Sequence, residues 1–194
     1  MLHSSGINAY RIFLSSPGDC AEERAAVHGL AEKFNVDPLI SAFTRIEVIA
    51  WDWGAGVPLE ALASPQASVN KHLPTPEDCE LFIGIFNCRF GTPLPAQEFR
   101  KLDGTPYHSG SEYEFHRAWE TRRRGTSRPE ILIYRCQNES PPCPNSEQFK
   151  NLEAFFQHPP FKENEQWLGS VDRYSTPDEF VGKLADIRRV ALKR

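Results

Sequence analysis

Two carboxylates, Glu112 and Glu114, follow a small Gly-Ser turn at the predicted start of a helix, in the segment His108 to Ala118. In an open parallel α/β sheet, such helix starts lie at the edge where ligands bind. Side chains two positions apart on a helix point roughly 200° apart, so these two carboxylates cannot share one face. One of them can face the sheet edge while the other faces solvent. Ala118 lies four residues after Glu114 on the same face and permits close packing, so we expect Glu114 to be the inward carboxylate.

Each candidate residue also has a purely structural interpretation. Both glutamates could simply complement the positive end of the helix dipole, which is worth a few tenths of a kcal/mol. Arg24 and Arg89 could be solvated or paired in salt bridges instead of binding a phosphate. One of the two rings of Trp51 and Trp53 should enter the core, and core packing is the commoner fate for either ring. The Arg122 to Arg124 run is typical of a helix C-terminus before Gly125.

Short apolar runs predict the strands that position these residues, because buried parallel strands are rich in Ile, Val and Phe. The predicted strands are Arg11 to Leu14, Ile46 to Trp51, Leu81 to Phe86 and Ile131 to Tyr134. Small or aromatic turn residues follow the first three runs, at Ser15-Ser16-Pro17-Gly18, Trp51-Asp52-Trp53-Gly54 and Arg89-Phe90-Gly91. Together with Ser109 to Ser111, these segments form four candidate site loops on one edge of the sheet.

Helical spacing appears between the predicted strands, which indicates repeated strand-helix units. The first helix shows Val27, Leu30, Ala31 and Phe34 at that spacing, and Asp19 with Glu22 forms a plausible capping box at its start. A last helix carries Phe180, Leu184, Ile187 and Ala191, with Thr176 or Ser175 as its cap and Pro177 at its first position. The Pro-rich stretch 54–76 is expected to hold a short helix around residues 67–72. The stretch 92–109 is expected to be a long loop over the site.

Composition limits the classes of function. The 194 residues, with 40% hydrophobic side chains, suffice for one buried domain over 1–194. A net charge of −4 gives no sign of a dense nucleic-acid-binding face. The five cysteines are odd in number and lack CxxC spacing, which indicates reduced thiols and a cytoplasmic protein. No apolar run approaches about 18 residues, so we expect neither a signal peptide nor membrane association.

Common catalytic signatures are absent from the sequence. It contains no Walker motif, GxGxxG, HExxH or GxSxG, so phosphoryl transfer, Rossmann-type hydride transfer, zinc proteolysis and serine hydrolysis lose their usual support. The six histidines are dispersed, and we expect no metal site.

Four motifs in combination resemble a family of uncharacterised TIR-like domains. They are YRIFLSSPGDCAEER, IEVIAWDWG, CELFIGIFNCRFG and SGSEYEFHRA, and the resemblance covers nearly the whole chain. Such domains commonly precede NACHT or related STAND ATPase modules. Their fold is similar to that of TIR domains and nucleoside 2-deoxyribosyltransferases. The resemblance therefore implies a three-layer flavodoxin-like α/β sandwich with a mainly parallel sheet of four or five strands.

The resemblance also implies site residues. The segment from Gly110 to Glu114 is similar to the deoxyribosyltransferase pattern of Gly-Thr, two residues and Glu, which assigns the catalytic role to Glu114, with Glu112 as a second candidate. The TIR pattern also has a Cys before the glutamate, and this chain has none there. The residues implied to shape the substrate pocket are Ser15, Ser16, Arg24, Asp52, Trp53, Arg89 and Ser111.

The implied activity is hydrolysis of the N-glycosidic bond of NAD, with NAD as substrate and no further cofactor. Activation by self-association, and a place in an innate immune or anti-phage system beside a STAND ATPase, follow from the same resemblance. Two alternatives stay open at this point. The domain could be a non-catalytic assembly module of a signalling ATPase, since a shared fold does not establish activity. It could also act on nucleosides or other nucleotides, as a glycosidase or transferase.

Overall fold

The computed structural model describes residues 8–50, 65–137 and 146–185, and these form an α/β sandwich around a parallel sheet. The strands are β1 (Asn8–Ser15), β2 (Thr44–Ile49), β3 (Leu81–Phe86), β4 (Glu130–Cys136), β5 (Lys162–Glu163), β6 (Gln166–Trp167) and β7 (Asp172–Tyr174). The helices are α1 (Ala21–Val36), α2 (Pro38–Ser41), α3 (Pro65–His72), α4 (Gly110–Arg123), α5 (Glu147–Gln157) and α6 (Pro177–Leu184).

The central sheet has the order β2-β1-β3-β4-β7, and every neighbouring pair is parallel. The predicted flavodoxin-like sandwich with a four- or five-stranded sheet is therefore confirmed. The edge strand next to β4, β7, is only three residues long and was not among the predicted strands. The strands β5 and β6 form a separate antiparallel hairpin.

Two apolar layers bury the sheet, one on each face. On one face the alternate residues of β1 and β3 pack against α1 and α6. The other face consists mainly of phenylalanine rings, contributed by β3, α4 and α5. Gly84 belongs to this second face, and a Cβ there would come within 2.8 Å of the Ile133 Cδ1 atom, so the glycine leaves room for the surrounding side chains.

The predicted helices are confirmed, with one wrong cap, although Ile187 and Ala191 of the last predicted helix lie outside the described residues. Thr176 caps α6 by accepting a hydrogen bond from the Glu179 N–H, and Pro177 begins that helix. The capping box predicted from Asp19 and Glu22 is wrong, because the N-cap of α1 is Cys20 and it makes no side-chain cap bond. The Asp19 carboxylate is instead committed to a distant loop, as described below.

Glycine at position 125 ends α4 as expected, with a φ of 87°. The preceding arginines interact locally: Arg123 lies over the Trp119 ring and Arg124 pairs with Glu120. Within 8–50, 65–137 and 146–185, no helix has the length and apolar character needed to cross a membrane.

Candidate functional site

The candidate site lies where the chain leaves β1 and β3 in opposite directions. The loop after β1 leads to α1 on one face of the sheet, and the loop after β3 leads to α4 on the other face. The carboxyl ends of these two neighbouring strands therefore open into a crevice. This is the topological switch point at which open α/β sheets bind ligands.

A cavity of about 260 Å³ occupies this crevice. Its volume is slightly below the range of about 300–1,000 Å³ that is usual for small-molecule sites. The β1–α1 turn, the α3 helix, the long β3–α4 loop and the first two turns of α4 each supply part of its wall. The lining residues are Ser16, Pro17, Gly18, Gln66, Arg89, Gly91, Thr92, Pro93, Leu94, Pro95, Gly110, Ser111 and Glu114.

Glu114 is the carboxylate of this cavity. It lies in the second turn of α4 and is only 6% exposed. The Ser15 hydroxyl donates a hydrogen bond of 2.6 Å to its Oε2 atom, and the Gln66 amide donates one of 3.2 Å to its Oε1 atom. Ala118 is fully buried one turn later, as the predicted close approach of α4 to the sheet requires. Glu114 is thus the inward carboxylate, as expected.

Burial raises the pKa of Glu114 from 4.5 to about 7. The hydrogen bonds from Ser15 and Gln66, and the charge of Arg117, oppose this rise because they favour the ionised form. A carboxyl group with a pKa near neutrality can exist in either protonation state under ordinary conditions. Strongly shifted carboxyl groups in cavities are typical of functional sites.

Arg24 stabilises the turn after β1 by hydrogen bonds. Arg24, which is buried, donates hydrogen bonds to the Pro17 carbonyl at 2.7 Å and to the Ser16 hydroxyl at 3.2 Å. Ser16 lines the cavity, whereas Arg24 does not. The structure therefore places Arg24 as a support of the turn instead of a group facing a ligand.

Asp19 joins this turn to the loop after β3. Its Oδ2 atom accepts hydrogen bonds from the N–H groups of Cys88 and Arg89, at 2.9 and 3.0 Å. The Arg89 side chain is exposed and lies beside Gly18, where a Cβ would be 3.7 Å from its Nη1 atom. The backbone of Arg89 is thereby held at the wall of the cavity, where its guanidinium can bind an anionic group of a ligand.

Glu112 is buried, so the expectation that one of the two carboxylates faces solvent is wrong. It is 3% exposed, pairs with the Lys101 ammonium at 2.6 Å, and accepts a 2.6 Å hydrogen bond from the His108 N–H. Its own N–H donates to the Ser109 hydroxyl, which caps α4. Glu112 therefore fixes the end of the long loop and does not line the cavity.

Ser111, one of the predicted site residues, lines the cavity next to Gly91. At Gly91 the φ is 114°, and a Cβ would lie 3.0 Å from the Ser111 hydroxyl oxygen, so only glycine fits there without strain. The predicted site residues Asp52 and Trp53 lie outside the described residues. The predicted set is thus brought together at Ser15, Ser16, Arg89, Ser111 and Glu114.

Two parts of the site were not predicted. Gln66 contacts Glu114 from α3, a helix expected only as a short element without a role. The residues Pro93, Leu94 and Pro95 form an apolar wall. The start of the long loop lines the cavity, but no pattern in the sequence indicated which of its residues do so.

Cysteine chemistry receives little support at the site. The cysteines at 20, 79, 88 and 136 are buried, and Cys143 lies outside the described residues. Burial raises the pKa of Cys20 well above its usual value, which disfavours the nucleophilic thiolate. Among the residues that the structure describes, no group of three or more His, Cys, Asp or Glu side chains is arranged to hold a metal ion.

A comparison of the chain with protein-family models, with curated proteins and with solved structures finds no match.

Proposed function

We propose that this chain is a TIR-like effector domain that hydrolyses the N-glycosidic bond of NAD and releases nicotinamide. The observation that carries the proposal is the buried Glu114 at the base of the switch-point cavity, with its pKa raised to about 7. An assembly module has no need of a concave site around such a carboxylate. The sequence resemblance supplies the reaction type, and the cavity supplies a place for it.

One carboxylate suffices for this reaction. The nicotinamide ring nitrogen of NAD is cationic, so cleavage of its bond to C1′ lets the ring depart neutral, with both bonding electrons and without a general acid. Most O-glycosidases, by contrast, need a pair of carboxylates. Ionised Glu114 would stabilise the positive charge that develops at C1′, or hold the ribose hydroxyls. Water then adds at C1′ and gives ADP-ribose and a proton.

The walls of the cavity suit part of a nucleotide. Pro93, Leu94 and Pro95 offer an apolar surface to a ring, and Arg89 offers a cation to a phosphate group. The volume fits a nucleoside-sized group and not a complete dinucleotide, so the remainder of NAD would extend past Arg89. Binding of this kind orients C1′ over Glu114, which is the main requirement for cleavage.

Nicotinamide release from NAD, followed by chromatography at several protein concentrations, tests the proposal. We expect Glu114→Gln to abolish release while leaving the fold intact, because the amide cannot carry the negative charge. Glu22→Gln, the same change in the first turn of α1 on an exposed side chain, should retain full activity. Release by Glu114→Gln at the wild-type rate would refute the role of Glu114, and absence of release from folded wild-type protein at every concentration would refute the activity.

Self-association is the second element of the proposal, in line with activation by oligomerisation and with a parent STAND ATPase in innate immunity or anti-phage defence. Three large apolar side chains, Val36, Leu39 and Phe43, are exposed in the short stretch where α1 leads through α2 into β2. The same surface favours the alternative of a non-catalytic assembly domain. A third candidate, hydrolysis or exchange of nucleosides, shares Glu114, and competition by free nucleosides would distinguish it from NAD cleavage.

A further inference from the structure

A hydrogen-bonded chain of side chains holds Glu114 from the direction of α3. Gln66 donates to Glu114 and also to the Asn70 side-chain oxygen, both at 3.2 Å, so both hydrogens of its amide group are engaged. Gln66 is itself buried, and its neighbour Asn70 lies one turn further along the same helix. The amide therefore has little freedom to turn away from the carboxylate.

The chain continues beyond α3 and ends in an ion pair. Asn70 donates to the Tyr113 hydroxyl at 3.3 Å, and the same hydroxyl accepts a bond of 3.3 Å from Arg117. Arg117 in turn donates to the Glu77 carboxylate at 2.7 Å. The position of Gln66 is thus tied to α4, and to the 3-10 turn Pro76–Asp78 that contains Glu77.

Gly110 makes room for this arrangement. A Cβ at this first residue of α4 would lie 2.7 Å from the Gln66 side-chain oxygen, which is closer than any ordinary contact. The atom in conflict belongs to the end of a flexible side chain, so an added methyl group would displace Gln66 and leave the backbone in place. A glycine at position 110 thereby decides whether the Gln66 amide reaches Glu114.

We propose that Gln66, seated against Gly110, is a positioning residue that orients the Glu114 carboxylate and stabilises its ionised form. The inference rests on the proposed function only in taking Glu114 as the reacting group. In the described part of the chain, Ser15 of β1 supplies the other donor to Glu114. The charge of Arg117 in α4 favours the ionised form of Glu114, and Arg89 lines the same cavity.

Infrared titration tests this inference without substrate. The carbonyl band of a protonated buried carboxyl group reports its protonation, and loss of the band in Glu114→Gln assigns it. We expect the band of wild-type protein to disappear with a midpoint near pH 7. Gln66→Ala and Gly110→Ala should each raise that midpoint by about one pH unit, because one donor to the ionised form is lost. Gly29→Ala, where nothing lies within 4 Å of the added methyl, should leave the midpoint unchanged.

The double variant that combines Gln66→Ala with Gly110→Ala tests whether both changes act through Gln66. If Gly110→Ala acts by displacing Gln66, it should add no further shift once residue 66 is already alanine. Unchanged midpoints in both single variants, or shifts that add in the double variant, would overturn the inference. Circular dichroism confirms that each variant is folded before its titration is interpreted.

Turnover of NAD supplies a second readout. Loss of positioning should lower kcat for nicotinamide release at pH 7 by about tenfold in Gln66→Ala, with KM little changed. A shifted midpoint without NAD cleavage in the wild type would refute the proposed function and leave the positioning role intact. Cleavage of NAD by the wild type, with unshifted midpoints in the variants, would refute the positioning role and leave the proposed function intact.

Discussion

Burial of Glu114 sets the pH at which the candidate site can act. The ionised carboxylate is the form that stabilises positive charge at C1′, and its pKa in the free protein is about 7. We therefore expect kcat/KM for nicotinamide release to rise tenfold per pH unit below 7 and to level off above it. Initial rates between pH 5.5 and 8.5 measure this profile. A rate that is flat or falls over this range would argue against a catalytic carboxylate.

The same carboxyl group should make stability depend on pH in a specific direction. Because its folded-state pKa lies above the unfolded value of 4.5, the folded protein holds its proton more tightly. The contribution of Glu114 to the free energy of unfolding is therefore fully present below pH 4.5. It is lost as the pH rises through about 7, by about 3 kcal/mol in total. The free energy of urea unfolding of wild type minus that of Glu114→Gln, measured from pH 5 to pH 8, isolates this effect. A difference that is constant with pH would contradict it.

At the scale of elements, Asp19 is the contact that joins the two loops of the site. The N–H groups of Cys88 and Arg89 have this carboxylate as their acceptor, and they fix the start of the β3–α4 loop. We expect Asp19→Ala to destabilise the fold by about 1–2 kcal/mol and to weaken NAD cleavage through the displaced Arg89. Urea unfolding and KM for NAD measure the two effects.

Glu22→Gln is the matched control for Asp19→Ala, since it removes one negative charge three residues away on an exposed side chain. It should change neither stability nor KM appreciably. Equal effects from both substitutions would mean that net charge near α1, and not the contact to the loop, is responsible.

Strands and helices could be predicted where burial alone determines the pattern of apolar residues in the sequence. The run Leu81 to Phe86 is buried at every position, and its predicted bounds agree with those of β3. β7 escaped prediction because its three residues include only one buried side chain, Tyr174. Glu114 as the inward group followed from helical geometry. Asp19 and Gln66 could not be assigned in this way, because their partners lie 69 or 70 and 48 positions away and only the tertiary fold brings them together.

At the scale of the whole molecule, the stretch 36–43 is where we expect a second copy to bind. Phe43 and Leu39 are each 76% exposed, and burial of such side chains favours association. Because self-association is proposed to activate the domain, we expect NAD cleavage by the wild type to rise faster than linearly with protein concentration. Replacing both by Ser should reduce self-association and abolish that rise. Analytical ultracentrifugation and the release assay measure these outcomes.

Leu102 provides the control for that variant. It is 90% exposed and belongs to the β3–α4 loop, which is a different segment of the chain, and Leu102→Ser should leave association unchanged. If both variants associate as the wild type does, another surface mediates assembly. If both lose association equally, general hydrophobicity and not a defined interface is responsible.

The cavity draws its walls from segments that are far apart in the chain, around residues 16–18, 66, 89–95 and 110–114. These segments meet only when the sheet and its helices are assembled, so a molecule that fills the cavity binds the native state alone. A bound ligand must then raise the melting temperature. At a ligand concentration a hundred times Kd, it adds about 2.7 kcal/mol to the free energy of unfolding. Thermal melting can therefore rank nucleotides, nucleosides and their fragments as ligands, even for a protein that turns none of them over.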